Sequence, residues 1–117
     1  EADHRLKLDI FEGPFDLLAT CNLLHISPWH VTLNLLTGAG RLLSGNGTLF
    51  VYGCFSRSGD FVSDSNRSFD ESLRRRDPAW GVRDTDAVTD VAKASGLTVA
   101  RIVPMPANNT ALVLRRA

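Results

Sequence analysis

The chain has 117 residues, 44% of them hydrophobic and 22% charged, a balance expected of one small globular domain. Thirteen basic residues against thirteen acidic ones leave no net charge, so no overall field draws the chain to nucleic acid or to a membrane surface. No stretch reaches the roughly 20 apolar residues of a membrane span, and Glu1-Ala2-Asp3-His4 lacks the marks of a signal peptide, which predicts a cytoplasmic protein.

Leu6–Phe11 alternates apolar with polar residues before Glu12-Gly13-Pro14 and reads as a strand ended by a turn. Phe15–Cys21 is nearly continuous apolar sequence, the pattern of a parallel strand covered on both faces. Ser27-Pro28 then opens a helix running to Leu43, with Ser27 as cap and Pro28 in the first turn. Val31, Leu35, Leu36, Ala39, Leu42 and Leu43 recur at helical spacing, whereas Gly38 and Gly40 weaken the helix by about 1 kcal/mol each relative to alanine.

Ser44-Gly45-Asn46-Gly47 reads as a turn, Thr48–Phe55 as a strand and Ser56–Asn66 as a loop. A helix is predicted from Ser68 to Arg76, stopped by Asp77-Pro78, its final arginines Arg74-Arg75-Arg76 complementing the helix dipole and facing solvent. A second helix spans Asp84–Ser95, capped by Asp84 or Thr85 and closed by Gly96. Leu97–Val103 and Ala111–Arg115 are the last strands, and the short connection between them is far below the dozen or more residues of a parallel crossover. They must pair antiparallel. Cys21 and Cys54 lie within apolar runs, without metal-knuckle spacing, and are expected to be buried thiols; no metal site is expected.

The order strand, strand, helix, strand, two helices, strand, strand predicts an α/β domain over residues 1–117, a mostly parallel sheet that ends in an antiparallel hairpin. Ligands of such sheets bind beyond the carboxyl ends of the strands. That rule gathers Asn22–Trp29, Tyr52–Phe55, Trp80–Thr85 and Pro104–Asn109 on one rim.

Four blocks carry a resemblance: Asn22-Leu23-Leu24-His25-Ile26-Ser27-Pro28-Trp29, Tyr52-Gly53-Cys54-Phe55, Asp77-Pro78-Ala79-Trp80-Gly81-Val82-Arg83-Asp84-Thr85 and Met105-Pro106-Ala107-Asn108-Asn109. In order and spacing they resemble a small, poorly characterised methyltransferase-like family of the class I superfamily, which uses S-adenosylmethionine. The chain departs from that pattern at Cys54 and Asp64, where the family commonly has proline. The resemblance implies a Rossmann-like sheet lacking its first two strands, hence the carboxyl-terminal part of one domain. The missing upstream half would hold the glycine-rich turn and the acidic ribose residue of the cofactor site; Gly38-Ala39-Gly40 lies within a helical pattern and is no substitute.

By the same resemblance Asp9 accepts a hydrogen bond from adenine, Ile10 packs on the ring, and the backbone at Cys21 and Asn22 passes the methionine end of the cofactor. His25 is the general-base candidate, because imidazole titrates near neutrality; the alternative is that it orients its loop. Tyr52, Trp80, Arg83, Asn108 and Asn109 are the substrate-binding candidates. Arg83 has a structural alternative in a pair with Asp84 or Asp86, and the asparagines have one in supplying a turn. The expected activity is methyl transfer by the intact protein to an unidentified small molecule or protein, the fragment alone being inactive. A non-catalytic methyltransferase-like scaffold is the alternative.

Overall fold

The computed structural model describes residues 13–117. The expected strand Leu6–Phe11, with Asp9 and Ile10, lies outside the described residues. In chain order the elements are β1 (Phe15–Cys21), α1 (Trp29–Leu42), β2 (Leu43–Gly53), α2 (Asp64–Arg76), α3 (Thr85–Ala94), β3 (Leu97–Met105) and β4 (Asn109–Arg116). They form an α/β fold around one sheet in the order β1-β2-β4-β3, in which β1 and β2 are parallel and β4 runs antiparallel to both neighbours. Three strands therefore point one way. The last strand returns between β2 and β3.

Side chains of directly opposed residues share a face of a sheet, so the register sorts the strands into two layers. Leu49 faces Leu114 and Val51 faces Leu112. Against this layer pack Leu35, Leu36 and Ala39 of α1 with Val88 and Ala92 of α3, forming the core together with Leu97. The helical spacing of α1 thus selects its buried stripe as expected. Gly40 has a use in that packing: a Cβ there would lie 2.6 Å from the carbonyl oxygen of Ser95, so glycine lets α1 close on the end of α3.

The opposite layer is open. Ala19 pairs with Phe50 and Cys21 with Tyr52, and these residues, with Thr20, line a shallow apolar cavity of about 300 Å³. Leu17 is 62% exposed, and Cys21 is exposed while Cys54 is buried. Two expectations are corrected here: β1 is not covered on both faces, and only one thiol is buried. The reason is positional. Among the described residues β1 is an edge strand and α1 and α3 both pack on the other layer.

Boundaries moved where local signals met pairing. Ser44–Gly47 is extended within β2 and not a turn, because β1 pairs across it with a register break between Phe15 and Leu17, and the Ser44 hydroxyl donates to Asp16 at 3.0 Å. Ser27 does not cap α1; its hydroxyl donates to the Leu23 carbonyl at 2.6 Å, and Pro28 occupies the cap position with no side-chain bond. Helix α2 starts at Asp64, four residues ahead of Ser68, because Ser63 accepts the Asn66 N–H at 3.1 Å. The polar run read as loop is a capping sequence. At α3 the expected devices hold: Asp84 caps, and Gly96 follows the end at φ 77°.

The β3–β4 connection is tighter than the sequence suggests. Pro106, Ala107 and Asn108 alone separate the paired Met105 and Asn109, and Ala107 and Asn108 both have positive φ, 60° and 62°. Asparagine tolerates that conformation and alanine does not. Replacing Ala107 with glycine is therefore expected to stabilise the protein by about 0.5–1 kcal/mol, read as a rise of several degrees in the unfolding midpoint. A lower midpoint would contradict the turn geometry.

Candidate functional site

The rim at the carboxyl end of β1 begins with Asn22, whose φ of 62° turns the chain and whose N–H donates to the Tyr52 carbonyl at 2.8 Å. Three residues on, the His25 N–H donates to the Asn22 carbonyl at 3.2 Å, and the imidazole enters the protein fully buried. There it meets Phe55 edge-on, with ring centroids 4.6 Å apart. Its Nδ1 accepts the Arg83 N–H at 3.1 Å, and its carbonyl accepts the Gly81 N–H at 3.0 Å. A single residue thereby ties the loop after β1 to the segment before α3.

The proton inventory of His25 follows from these contacts. Because Nδ1 accepts, the ring proton sits on Nε2, which is buried without a partner. Burial foremost, then the charge of Arg83, hold its pKa at about 4, with Asp70 pulling weakly the other way. A base needs an accessible lone pair. Here the Nδ1 lone pair is taken and the ring is sealed, an arrangement that favours the alternative to a general base, a neutral histidine that orients the loop. Gly53 belongs to the same device: a Cβ there would fall 2.5 Å from His25 Nε2.

Arg83 is also committed internally. Its Nε donates to Leu24 O at 3.1 Å, and its Nη2 to Ser27 O at 2.9 Å and Ala79 O at 2.8 Å, while the guanidinium lies 5.4 Å from the Trp29 ring centre. It pairs with neither Asp84 nor Asp86. Those donors are directed at backbone carbonyls and not at the rim opening, which weighs against a substrate clamp. Asp84 instead accepts from Ser56 Oγ and the Gly59 N–H, both at 2.7 Å, and from the Asp86 N–H at 2.9 Å. Burial would raise its pKa, but these hydrogen bonds outweigh burial and hold it below the usual carboxylate range.

Of the remaining candidates, Cys21 and Tyr52 stand together on the open sheet layer, and Asn22 is exposed beside them. Trp80 is half-buried in the turn after α2, its N–H bonded to the Asp77 carbonyl at 3.0 Å. Asn108 has an exposed side chain, but its carbonyl accepts the buried Asn66 amide at 2.9 Å. Asn109 turns its own amide to the Pro106 carbonyl at 3.3 Å. All these residues lie at one end of the sheet, yet they do not form one pocket. Asn108 and Asn109 join the rim through α2 and the hairpin, Cys21 and Tyr52 through the outer layer.

Three residues organise this end without having been singled out from the sequence. Asp70, on α2, accepts the Val82 N–H at 2.8 Å and takes Arg74 in an ion pair at 3.0 Å, so Arg74 is not simply solvated. Gly53 makes room for His25, and Arg57 donates from Nη2 to Thr110 Oγ1 at 3.0 Å. Only the helical i, i+4 spacing of Asp70 and Arg74 was a usable signal. Cys54 lies nearby but burial pushes its thiol pKa up, which leaves it inert as a nucleophile. Among the described residues no group of His, Cys, Asp or Glu is placed to hold a metal ion, and no helix is long and apolar enough to cross a membrane.

The mixed sheet, mostly parallel and ending in an antiparallel hairpin, is similar in fold to solved methyltransferases. The mitomycin 7-O-methyltransferase MmcR has a similar structure, with a TM-score of 0.80 at 18% identity over 94% of this chain and 32% of that one. CalO1, a methyltransferase in calicheamicin biosynthesis solved with SAH bound, gives a TM-score of 0.74 at 18% identity over 87% and 30%. A pericyclic reaction enzyme gives a TM-score of 0.74 at 13% identity over 87% and 26%. The chain thus spans about a third or less of the length of these proteins. By its sequence the chain belongs to the family described as "Protein of unknown function (DUF938)", whose model matches residues 3–116.

Proposed function

We propose that this chain is the carboxyl-terminal portion of an S-adenosylmethionine-dependent methyltransferase, and that the intact protein methylates a small molecule or a protein side chain. The observation that carries the proposal is the likeness of the fold to solved methyltransferases, at TM-scores of 0.80 and 0.74 over 94% and 87% of this chain. S-adenosylmethionine supplies an activated methyl group, so the protein's task is to hold donor and acceptor in line, which contributes several kcal/mol without an acid or a base. A sealed, neutral His25 suits that chemistry, because it fixes the rim instead of moving a proton.

In this reading Cys21 and Asn22, exposed at the end of β1, meet the methionine end of the cofactor, and Asp9 and Ile10 its adenine. Tyr52, Trp80, Asn108 and Asn109 border the acceptor, whereas Arg83 shapes the loop behind them. An upstream half pairs with the free edge of β1 and brings the glycine-rich turn and the acidic ribose residue. The intact protein works in the cytoplasm. The likeness to a pericyclic reaction enzyme supports a second reading, in which the domain keeps the fold without methyl transfer, since one fold serves many functions.

The two readings separate in one assay. The polypeptide extended upstream is incubated with methyl-labelled S-adenosylmethionine and a small-molecule or protein extract. Transfer of label to a product is expected. Cofactor binding without any labelled product would favour the second reading.

A further inference from the structure

One buried donor on this rim is idle. With Nδ1 of His25 accepting the Arg83 N–H at 3.1 Å, the ring proton sits on Nε2, and Nε2 is sealed inside with no hydrogen-bond partner. A buried donor left unpaired is costly, so an acceptor within reach is strongly favoured. Gly53 shows which acceptor is near. A Cβ on that glycine would lie 2.5 Å from His25 Nε2 and 3.4 Å from Asn22 Oδ1, so both atoms stand against the same bare Cα.

The backbone already brings the two side chains together. Asn22 sits at φ 62° with its N–H on the Tyr52 carbonyl at 2.8 Å, and its own carbonyl accepts the His25 N–H at 3.2 Å. Rotation about the Asn22 side-chain bonds is the movement left to bring Oδ1 onto the Nε2–H. Little opposes it, because the amide nitrogen rests on Cys21 Sγ at 3.6 Å, an exposed contact to a weak acceptor. The amide is also the right way round, with its nitrogen toward Cys21 and its oxygen toward the histidine.

We propose that His25 is a positioning residue for Asn22: its Nε2–H takes the Asn22 side-chain carbonyl, and the amide N–H donors are thereby turned out to the rim to meet an acceptor group of the ligand. An asparagine in water presents its oxygen and its nitrogen equally well. Here a donor on one side fixes which of them faces outward. The chain of contacts runs from the segment before α3, through the Arg83 N–H and the neutral imidazole, to the exposed end of β1. The pairing rests on geometry alone. That the ligand group is the carboxylate at the methionine end of S-adenosylmethionine rests on the methyltransferase reading.

The test is an NMR titration of the His25 ring in the full chain, without cofactor. In the parent chain the midpoint is expected at about 4. Asn22→Asp, which tolerates the left-handed backbone and sets a carboxylate on the Nε2–H, is expected to raise it to about 5 or above, the effect of an opposite charge in contact. Two controls should leave it at about 4: Cys21→Asp, whose carboxylate stands one residue away on the exposed side, and Asn22→Gly, which suits φ 62° and has no side-chain acceptor. A midpoint unmoved in Asn22→Asp, or raised equally in either control, would overturn the proposal. In the polypeptide extended upstream, Asn22→Gly and His25→Asn should each weaken S-adenosylmethionine binding by about tenfold, and the double variant by no more than either alone, because both act through one hydrogen bond. Losses that multiply in the double variant would overturn the positioning role. A raised midpoint in Asn22→Asp with no cofactor binding by the extended parent would uphold the pairing and defeat only the methyltransferase reading; cofactor binding with an unmoved midpoint would defeat only this one.

Discussion

Arg83→Ala is expected to destabilise the protein by about 3 kcal/mol, because the guanidinium satisfies the carbonyls of the buried Leu24 and Ser27 as well as the exposed one of Ala79. Leu24 and Ser27 are buried, so water reaches their vicinity poorly once the side chain is gone. The Trp29 ring loses its cation at the same time. Lysine at this position keeps the charge but offers a single ammonium in place of a planar fork, and should recover less than half of the loss. Denaturant unfolding of the two variants measures the effect. A loss under about 0.5 kcal/mol for Arg83→Ala would match an exposed charge and contradict the clamp.

The second large effect is acid destabilisation through His25. Its pKa stands at about 4 in the folded chain against 6.5 as the ordinary value, so below pH 6.5 the unfolded chain binds a proton that the folded chain refuses. Stability from this group is complete above pH 6.5 and is lost as pH falls through the window from 6.5 to 4. The drop from 6.5 to about 4 corresponds to about 3 kcal/mol. Asp84 acts in a separate, lower window: its folded pKa is depressed, so its contribution is present above the unfolded value of 3.8 and disappears below it. His25→Asn retains an acceptor for the Arg83 N–H but cannot titrate. Unfolding free energy measured between pH 4 and 7 should slope upward in the parent chain and run nearly level in His25→Asn. Equal slopes would place His25 in solvent, where the base assignment becomes tenable again.

Within the described residues the sequence carried the order of elements and the antiparallel pairing of the last two strands, because helical spacing, cap residues and loop length are local quantities. Val31, Leu35, Leu36 and Ala39 are buried on α1 as their spacing requires. The insertion of β4 between β2 and β3 was not legible, since no local signal tells which neighbours a returning strand chooses. Ser44–Gly47 misled for the same reason: its turn propensity yields to pairing with a distant strand. The position of the candidate rim followed from strand polarity alone. The roles on it did not, because all hydrogen-bond partners that join His25 or Arg83 across the fold are backbone groups 56 to 59 residues away, and backbone groups leave no mark in the residue types. Arg57 escaped notice because an arginine in a polar loop looks solvated, whereas its guanidinium reaches the buried Thr110 hydroxyl 53 residues away.

The most direct measurement of the central claim is the affinity for S-adenosylmethionine, by calorimetric titration of residues 1–117 and of a polypeptide extended upstream. Among the described residues the layer around Phe50 and Tyr52 is open and β1 is an edge strand, and in the proposed reading an upstream half completes the cofactor crevice there. The extended polypeptide should therefore bind at micromolar concentration and residues 1–117 should not bind measurably. Micromolar binding by residues 1–117 alone, or no binding by the extended polypeptide, would contradict the account.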